Sequence, residues 1–383
     1  MSLTVSATPR SLRIRGLHKL RVMSDFWAGR RVFLSGHTGF KGGWLAIWLH
    51  ELGAAVTGFA DMPPTNPALF ELARIDALVD DVRGDVRDRV AVEAAVANAR
   101  PEIVLHLAAQ PVVRRAWREP ADAYAINTLG TVHVLEAVRK HAPEAAVVVI
   151  TTDKVYADPD SGRRFTEDDT LGGEDPYSAS KAAAELAAAS YRDSYGLRIA
   201  TARAGNVIGG GDWAEARILP DAVRAARAAT PLVVRDPAAI RPWQHVLNPL
   251  SGYLLLAERL AGSDVNARAW NFAPPLDREQ RPVGWLVERF TVALGGDVDV
   301  VAAKRRDGPE EAARVGLDPT LAAERLDWRE RWPLERGVVA AAEWYRDVVF
   351  EGADALGVTL AQIRDFGAPV PASGGLLGQH ASS

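Results

Sequence analysis

From Arg31 onward, short apolar segments alternate with longer amphipathic segments. The apolar segments contain few polar residues, which is typical of strands buried on both faces of a sheet; they are RVFLSG, AVTGFA, EIVLHLAA, AVVVITT and LRIATARAG. The segments between them predict helices over GGWLAIWLHELG, which ends at Gly53, and over 90–99, 121–140 and 177–195. This alternation predicts an α/β fold with a doubly wound parallel sheet.

The pattern changes after about Asn206. The stretch GNVIGGGDWAEARILP is rich in glycine and tryptophan, and the later apolar segments are short and broken by proline and charge. We predict a smaller C-terminal lobe that closes over the ends of the parallel strands, where open α/β sheets bind their ligands. The predicted divisions are a disordered extension at 1–25 (translation could begin at Met23), a sheet domain at 26–205, a lobe mainly at 206–365 with some segments returning to the sheet, and a flexible tail at 366–383.

Composition narrows the classes of function. The 383 residues carry a formal net charge of -4, which does not indicate a nucleic-acid or membrane-surface partner. There is no cysteine, which excludes a disulfide, a thiol nucleophile and a thiolate metal site and favours a cytoplasmic location. No apolar run approaches the roughly 20 residues of a membrane span, and no secretory signal is recognisable. Histidines and carboxylates show no metal-ligand spacing, so no metal is predicted.

A glycine-rich turn joins the first strand to the first helix. In FLSGHTGFKGGW, Gly36, Gly39 and Gly42 allow a tight turn whose backbone N–H groups can reach a pyrophosphate. The positive end of the helix dipole favours the same anion. A glycine-rich turn alone can be a simple loop, but a strand before it and a helix after it predict a dinucleotide site.

Further cofactor contacts are predicted at the ends of the following strands. Asp61 follows the second strand, where an acid normally binds the adenosine ribose, although Met62-Pro63-Pro64 bends the chain and an exposed loop acid is the alternative. Asp85 and Val86 are candidates for an adenine contact. The remaining candidates, some of which could equally be packing residues, are Thr38, Phe40, Leu107, Ala108 and Ala109.

The motif YSASK places Tyr177 and Lys181 four residues apart on a predicted helix, so both side chains share one face. A lysine ammonium beside a phenol favours the phenolate and would lower the pKa of the tyrosine. Such a tyrosine can take a proton from a hydroxyl group while hydride leaves the same carbon. Together with the glycine-rich turn, this pair predicts redox chemistry.

These motifs resemble the extended short-chain dehydrogenase/reductase superfamily, and the resemblance covers about Phe26 to Tyr345. It implies a Rossmann domain that binds NAD and a C-terminal lobe that binds a nucleotide-linked sugar. It also implies that Thr152, at the tip of the strand AVVVITT, helps to orient the 4-hydroxyl group of the sugar.

The next two residues predict the type of reaction. Members of this superfamily that dehydrate their sugar carry an acid after the strand-tip threonine, so that the 6-hydroxyl group leaves as water, and Asp153 occupies that position. The strand must end there, because in a regular strand Thr152 and Asp153 would point to opposite faces. The alternative is a solvated ion pair of Asp153 with Lys154, worth less than about 1 kcal/mol.

Lys154 stands where most related dehydratases, such as those for dTDP-glucose, carry a glutamate. A neutral lysine could take the proton from carbon 5, which burial and a nearby cation would encourage. A charged lysine could instead stabilise the enolate. We favour the first of these, although the sequence does not choose between them.

The Asp-Lys variant narrows the resemblance to the CDP-glucose 4,6-dehydratase family, and the stretches that carry it are GHTGFKGGWL, PPTNPALFE, HLAAQPVVR, TTDKVY, DPYSASKAAAE, ARAGNVIGGGDWA and IRPWQHV. It implies conversion of CDP-glucose to a 4-keto-6-deoxy sugar nucleotide with tightly bound NAD, in deoxysugar and surface-polysaccharide (lipopolysaccharide O-antigen) biosynthesis. The rivals are a sugar-nucleotide 4-epimerase, a dehydratase for another nucleotide-glucose, and a catalytically silent NAD- or nucleotide-sensing protein.

The resemblance also implies the substrate contacts and the assembly. Arg217 and Arg241 would bind the diphosphate through their guanidinium groups; the other candidates are Gln110, Asn206 and Asn271. Each has a structural alternative, such as a turn residue or an ion pair between domains. A homodimer or homotetramer formed through paired helices is expected, with the alanine-rich helix from Tyr177 at the interface. His245 is expected to be structural.

Overall fold

The structure is a computed structural model that describes residues 25–157, 163–263, 265–266, 268–278, 281–296, 298–303 and 316–368. Residues 1–24 of the predicted N-terminal extension and 369–383 of the predicted tail lie outside the described residues.

A central sheet of seven parallel strands organises the chain. Its strand order is β10-β6-β5-β4-β1-β2-β3, which is the order of a doubly wound sheet, and the predicted fold class is confirmed. The interior strands β4, β5 and β6 are buried along their whole length, which explains why most of their residues are apolar. The strands are β1 Arg31–Ser35, β2 Ala55–Ala60, β3 Asp80–Arg83, β4 Ile103–His106, β5 Ala146–Ile150, β6 Ile199–Ala204 and β10 Ala269–Phe272.

Helices cover both faces of the sheet. Alternate residues of one strand point into different cores: Val32 and Leu34 face one layer, and Phe33 faces the other. The helices are α1 Phe40–Glu51, α2 Leu69–Leu72, α3 Arg89–Ala99, α4 Val113–Arg118, α5 Pro120–Tyr124, α6 Gly130–His141, α7 Pro176–Tyr195, α8 Ile218–Ala228, α9 Leu247–Ala261, α10 Val283–Leu294, α11 Thr320–Arg325, α12 Leu334–Tyr345 and α13 Ala355–Gly367. A π-helical turn, Ala125–Leu129, joins α5 to α6.

The segment after Asn206 contributes both to a lobe and to the sheet. Two small parallel pairs, β7 with β9 and β8 with β11, belong to the lobe; they are β7 Val207–Ile208, β8 Leu232–Val234, β9 Gln244–His245 and β11 Val300–Ala302. The strand β10 returns to the main sheet beside β6. One hydrophobic core includes residues from both parts, among them Leu34, Trp44, Leu250 and Trp344. Among the described helices, none has the length and apolarity needed to cross a bilayer.

The parallel register brings the carboxyl ends of the strands to one edge. Ser35 pairs with His106, and Ile150 pairs with Ala202. The strand β5 ends at Ile150, and a short 3-10 helix, Asp153–Val155, follows two residues later. The chain therefore leaves the sheet just before the predicted acid, as its proposed role requires.

Candidate active site

In the glycine-rich turn, the backbone at Gly36 packs closely against the backbone at Ala108 and at Gly42. Gly36 has a φ of 81°, and a Cβ atom there would lie 2.7 Å from the backbone nitrogen of Ala108. A Cβ atom on Gly42 would collide with the carbonyl oxygen of Gly36. Gly39 precedes α1, and no side chain caps that helix, so its first N–H groups are left for an anion. The turn therefore fits the pyrophosphate of a dinucleotide.

The other predicted cofactor residues follow the ends of β2, β3 and β4. Asp61 is exposed, and its Oδ1 atom accepts a hydrogen bond from the backbone of Met62 at 2.7 Å. The carboxylate of Asp85 is bonded to Arg87, which lowers its pKa. Val86 is buried beneath Gly130. Thr38 is buried, whereas Phe40, Leu107, Ala108 and Ala109 are partly buried.

The predicted acid lies in a buried turn that we call the acid turn, Thr152–Val155. Asp153 is 4% exposed, and its Oδ1 atom accepts a hydrogen bond from the Thr152 hydroxyl group at 3.0 Å. Burial raises the pKa of Asp153, while the charge of Lys154 opposes this. A carboxyl group with a raised pKa can hold a proton and donate it. Its burial argues against the alternative of a solvated ion pair.

The helix α7 presents Tyr177 and Lys181 to the same edge. Pro176 occupies its first turn, and Asp175 caps it by accepting a hydrogen bond from the backbone of Tyr177 at 2.8 Å. Lys181 donates to the carbonyl oxygen of Ile150 at 3.0 Å. Both side chains lie beside the end of β5.

The electrostatics of the pair differ from the prediction. Burial raises the pKa of Tyr177 to about 12, and a hydrogen bond with Thr152 and the charge of Arg217 oppose this rise. Burial lowers the pKa of Lys181 to about 8, and the charge of Glu185 opposes this fall. The predicted lowering of the phenol pKa by Lys181 is not observed: burial dominates the pKa of both groups, and the ammonium group donates to the carbonyl oxygen of Ile150.

Three of the predicted substrate residues surround the acid turn. The charge of Arg241 acts on Asp153, and that of Arg217 acts on Tyr177. Asn206 follows β6 directly after Gly205, where a Cβ atom would lie 3.0 Å from the Oδ2 atom of Asp153. The structure therefore brings two cations and one amide to the part of the crevice that holds the acid.

The two other predicted substrate residues are turned inward. Gln110 is buried, and its side chain exchanges two hydrogen bonds with the backbone of Val112. Asn271 is fully buried; its Oδ1 atom accepts from the hydroxyl group of Tyr156, and its Nδ2 atom donates to the carbonyl oxygens of Phe165 and Asp318. Both amides already bond to the protein, and their predicted contacts with the substrate stay predictions.

Sequence reasoning missed Lys41, which lies on the first turn of α1. Its Nζ atom donates to the hydroxyl group of Tyr253, a buried residue of α9, at 3.2 Å. Burial lowers the pKa of Lys41 to about 7, and the charges of Arg217 and Lys181 add to this effect while that of Asp153 opposes it. The available signal was a single charged residue inside the apolar run FKGGWLAIWL.

His245 is a core residue, as expected. It is fully buried between Trp44 and Trp332, and burial lowers its pKa to about 3. Within the described ranges, no three histidine or carboxylate side chains are grouped so that they could bind a metal ion.

Comparison with known proteins places these features in a family. Residues 33–340 match the model of the GDP-mannose 4,6 dehydratase family. A CDP-glucose 4,6-dehydratase of Salmonella typhimurium is 41% identical over 352 residues, which are 89% of this chain and 97% of that protein. A probable dTDP-glucose 4,6-dehydratase of Sinorhizobium fredii is 26% identical and covers 84% of this chain and 97% of its own length.

Two solved structures are also similar. The dTDP-glucose 4,6-dehydratase DesIV of Streptomyces venezuelae, with NAD and TYD bound, has a TM-score of 0.70 at 25% identity and covers 83% of this chain and 97% of its own. The UDP-glucose 4-epimerase of Thermotoga maritima, with UDP-glucose, has a TM-score of 0.73 at 22% identity and covers 83% and 99%; it supports the fold alone. With its seven-stranded parallel sheet, its glycine-rich turn and these matches, the chain belongs to the GDP-mannose 4,6 dehydratase family, within the extended short-chain dehydrogenase/reductase superfamily.

Proposed function

We propose that the protein is a CDP-glucose 4,6-dehydratase, which converts CDP-D-glucose to CDP-4-dehydro-6-deoxy-D-glucose and water. The observation that carries this proposal is the buried Asp153, whose pKa is raised and which lies beside Thr152 in the same crevice as Tyr177. The name of the Salmonella typhimurium relative supports the choice of nucleotide sugar.

NAD fits the glycine-rich turn, and when bound it supplies the acceptor of hydride from carbon 4 and the donor of hydride to carbon 6. Gly36, Gly39 and the uncapped first turn of α1 would hold its pyrophosphate through backbone N–H groups. Asp61, after β2, is proposed to accept hydrogen bonds from the adenosine ribose.

The proposed proton transfers use the side chains around the acid turn. Tyr177 takes the proton of the 4-hydroxyl group, which Thr152 orients. The resulting 4-ketone acidifies the proton on carbon 5. Asp153 then donates its proton to the 6-hydroxyl group, so that water leaves. Neutral Lys154 takes the carbon 5 proton and returns it to carbon 5 when hydride is delivered to carbon 6. In the alternative, charged Lys154 stabilises the enolate and another group takes and returns this proton.

The nucleoside diphosphate is proposed to bind above the acid turn. Arg217 and Arg241 supply guanidinium groups, and Asn206 supplies an amide. The nucleotide sugar thereby has its diphosphate fixed at one end and its hexose directed towards Asp153. Such fixation is worth a large share of the barrier reduction in enzymes that position one substrate.

The rival functions have no use for a buried acid at residue 153. A 4-epimerase needs only proton transfer at carbon 4, and a catalytically silent nucleotide-binding protein needs none. Burial of the Asp153 carboxyl group, which raises its pKa, costs stability at neutral pH, so its presence favours a reaction that requires a proton donor.

The substrate proposal is tested with a panel of CDP-, dTDP-, UDP- and GDP-glucose, supplied with NAD. We expect CDP-glucose to give the highest kcat/KM, with a product that has lost one water molecule and forms the alkaline chromophore of a 4-keto sugar. Faster turnover of another nucleotide-glucose would overturn the proposed specificity for the cytosine nucleotide. A product of unchanged mass with inverted carbon 4 would establish the epimerase.

We also propose a homodimer in the cytoplasm. Four large apolar side chains are exposed on neighbouring elements of one face, namely Trp117 on α4, Tyr124 on α5, Leu129 on the π-helical turn and Leu186 on α7. Exposed apolar surface of this kind is typical of association sites. A second copy of the same face would cover it about a twofold axis. The lack of cysteine supports the location.

The dimer proposal is tested by light scattering after size-exclusion chromatography. The substitution Leu186→Glu should give monomers, because it buries a charge at the centre of the interface. The matched control is Val292→Glu, which changes an exposed residue on α10, outside the proposed face, and should leave the dimer intact. A monomeric wild-type protein would contradict the proposal.

A further inference from the structure

A buried ion pair lies behind the acid turn. The side chains of Glu185, on α7, and Arg203, on β6, are 3% and 4% exposed, and their two hydrogen bonds are both 2.9 Å long. The carboxylate also accepts hydrogen bonds from the hydroxyl groups of Thr151 and Thr201, each at 2.5 Å. Four donors satisfy this carboxylate, which offsets the cost of burying its charge.

The helix α7 contacts the end of β5 through three side chains on one face. Tyr177, Lys181 and Glu185 are spaced four residues apart. Tyr177 lies beside Thr152, Lys181 donates to the carbonyl oxygen of Ile150, and Glu185 accepts from the hydroxyl group of Thr151. The third of these contacts holds the residue that immediately precedes the acid turn.

The other end of the acid turn is bonded to the same ion pair. Tyr156, the residue after the turn, is 1% exposed, and its hydroxyl group accepts a hydrogen bond from the Nη1 atom of Arg203 at 2.8 Å. The same hydroxyl group donates to Asn271 at 2.8 Å, and its ring stacks on Phe165 with centroids 4.7 Å apart. The ion pair therefore bonds to the residues on both sides of the turn.

We propose that the Glu185–Arg203 ion pair is a positioning device for the acid turn, which fixes the carboxyl group of Asp153 for water elimination. Neither member touches the crevice, so both are positioning residues. The inference rests on the proposed dehydratase function. Its physical basis is that a proton donor must be held within hydrogen-bond reach of the leaving oxygen, and that a displacement of about 1 Å can cost about 100-fold in rate.

The proposal explains three buried polar residues at once. It accounts for Arg203 inside a buried strand, for Glu185 inside an alanine-rich helix and for the inward position of Asn271. A purely structural ion pair would be expected to affect all steps of the reaction to the same extent. A device that holds the acid turn should affect elimination more than oxidation at carbon 4.

The test uses the holoenzyme and compares two variants. Each variant removes one hydroxyl group that forms a hydrogen bond with the ion pair. Tyr156→Phe removes the hydrogen bond between Arg203 and the residue that follows the acid turn. Thr201→Val is the matched control, because it removes an equally buried bond to the same carboxylate from within β6, away from the turn. Turnover of CDP-glucose and the absorbance of reduced nicotinamide during turnover are measured together.

We expect Tyr156→Phe to lower kcat about 10- to 100-fold and to accumulate reduced nicotinamide, because elimination slows while oxidation continues. Thr201→Val should stay within about threefold of the wild type, without accumulation. Thr151→Val removes the hydrogen bond between Glu185 and the residue that precedes the acid turn. It should also accumulate reduced nicotinamide, and it replaces Tyr156→Phe in the test if that variant does not fold.

The outcomes separate this inference from the proposed function. A wild-type protein that does not convert CDP-glucose would overturn the function itself. If the wild type converts it, equal losses in Tyr156→Phe and Thr201→Val would overturn the positioning role. A loss of turnover without accumulated reduced nicotinamide in the turn variants would overturn it too, since it would show a structural effect on all steps.

Discussion

The pKa values of two acidic residues, Asp153 and Asp85, are shifted in opposite directions at the two ends of the crevice. At the chemical end, which comprises the acid turn and Tyr177, Asp153 is buried, and its raised pKa reflects that burial. At the cofactor end, which comprises the glycine-rich turn with Asp61 and Asp85, the acids lie near solvent. There Asp85 is bonded to Arg87, which lowers its pKa.

This difference teaches how the surroundings of a carboxyl group determine its use. A carboxyl group that is buried with few donors favours its neutral form and can give up a proton. A carboxylate that is solvated or paired stays charged and can only accept hydrogen bonds, for example from ribose hydroxyl groups. One residue type thus serves proton transfer at one end and binding at the other.

The largest expected effect is at Tyr177. Tyr177→Phe removes the proposed proton acceptor and should lower kcat by about 1,000-fold or more, because no other group replaces it at the 4-hydroxyl group. Steady-state turnover of CDP-glucose measures this, and thermal unfolding checks that the variant folds. Activity within tenfold of the wild type would show that another group accepts the proton of the 4-hydroxyl group.

Asp153→Asn should have the next largest effect at the chemical end. An amide cannot protonate the 6-hydroxyl group, so dehydration should fall by about 100- to 10,000-fold while oxidation at carbon 4 continues. The expected signature is reduced nicotinamide that persists after mixing with CDP-glucose in stopped flow. An unchanged rate of dehydration would show that Asp153 is not the proton donor. The acids at the two ends of the crevice would then not differ in function as proposed.

The same substitution should change the dependence of stability on pH. Because the pKa of Asp153 is raised in the folded state, the native protein binds more protons than the unfolded chain at pH values above about 4, and its stability falls as pH rises through that window. Asp153→Asn removes this loss and should be more stable than the wild type at pH 7, but not at pH 4. Urea unfolding at both pH values measures the difference.

A matched control for that measurement is Glu144→Gln, since the Glu144 side chain is 94% exposed. It should change stability little at either pH. If Glu144→Gln and Asp153→Asn gave the same pH dependence, burial would not be the cause of the effect.

The smallest expected effect is at the cofactor end. Asp61→Ala removes a charged acceptor of ribose hydrogen bonds and should raise the Kd of NAD about tenfold, which corresponds to about 1.4 kcal/mol, with little change in kcat at saturating NAD. Calorimetric titration measures it, and Asp76→Ala, an exposed acid on the 3-10 helix Ile75–Ala77, is the control. Equal affinities in both variants would make Asp61 a simple surface residue.

The sequence determined the features that depend on local patterns. Strands made mostly of apolar residues predicted the parallel sheet, because strands buried on both faces consist mainly of apolar side chains. The spacing of Gly36, Gly39 and Gly42 predicted the tight turn, and the four-residue spacing of Tyr177 and Lys181 predicted their common face.

The tertiary structure decided which polar side chains face the crevice. Gln110 comes after β4, and Asn271 lies near the carboxyl end of β10, yet both bond inward; Lys41 reaches the crevice from a run of apolar residues. The burial of Asp153 and the ion pair behind it arise from contacts among β5, α7 and β6, which come together only when the sheet and its covering helix pack. Periodicity shows which residues share a face, but the pKa of a group and its partners depend on the elements packed around it.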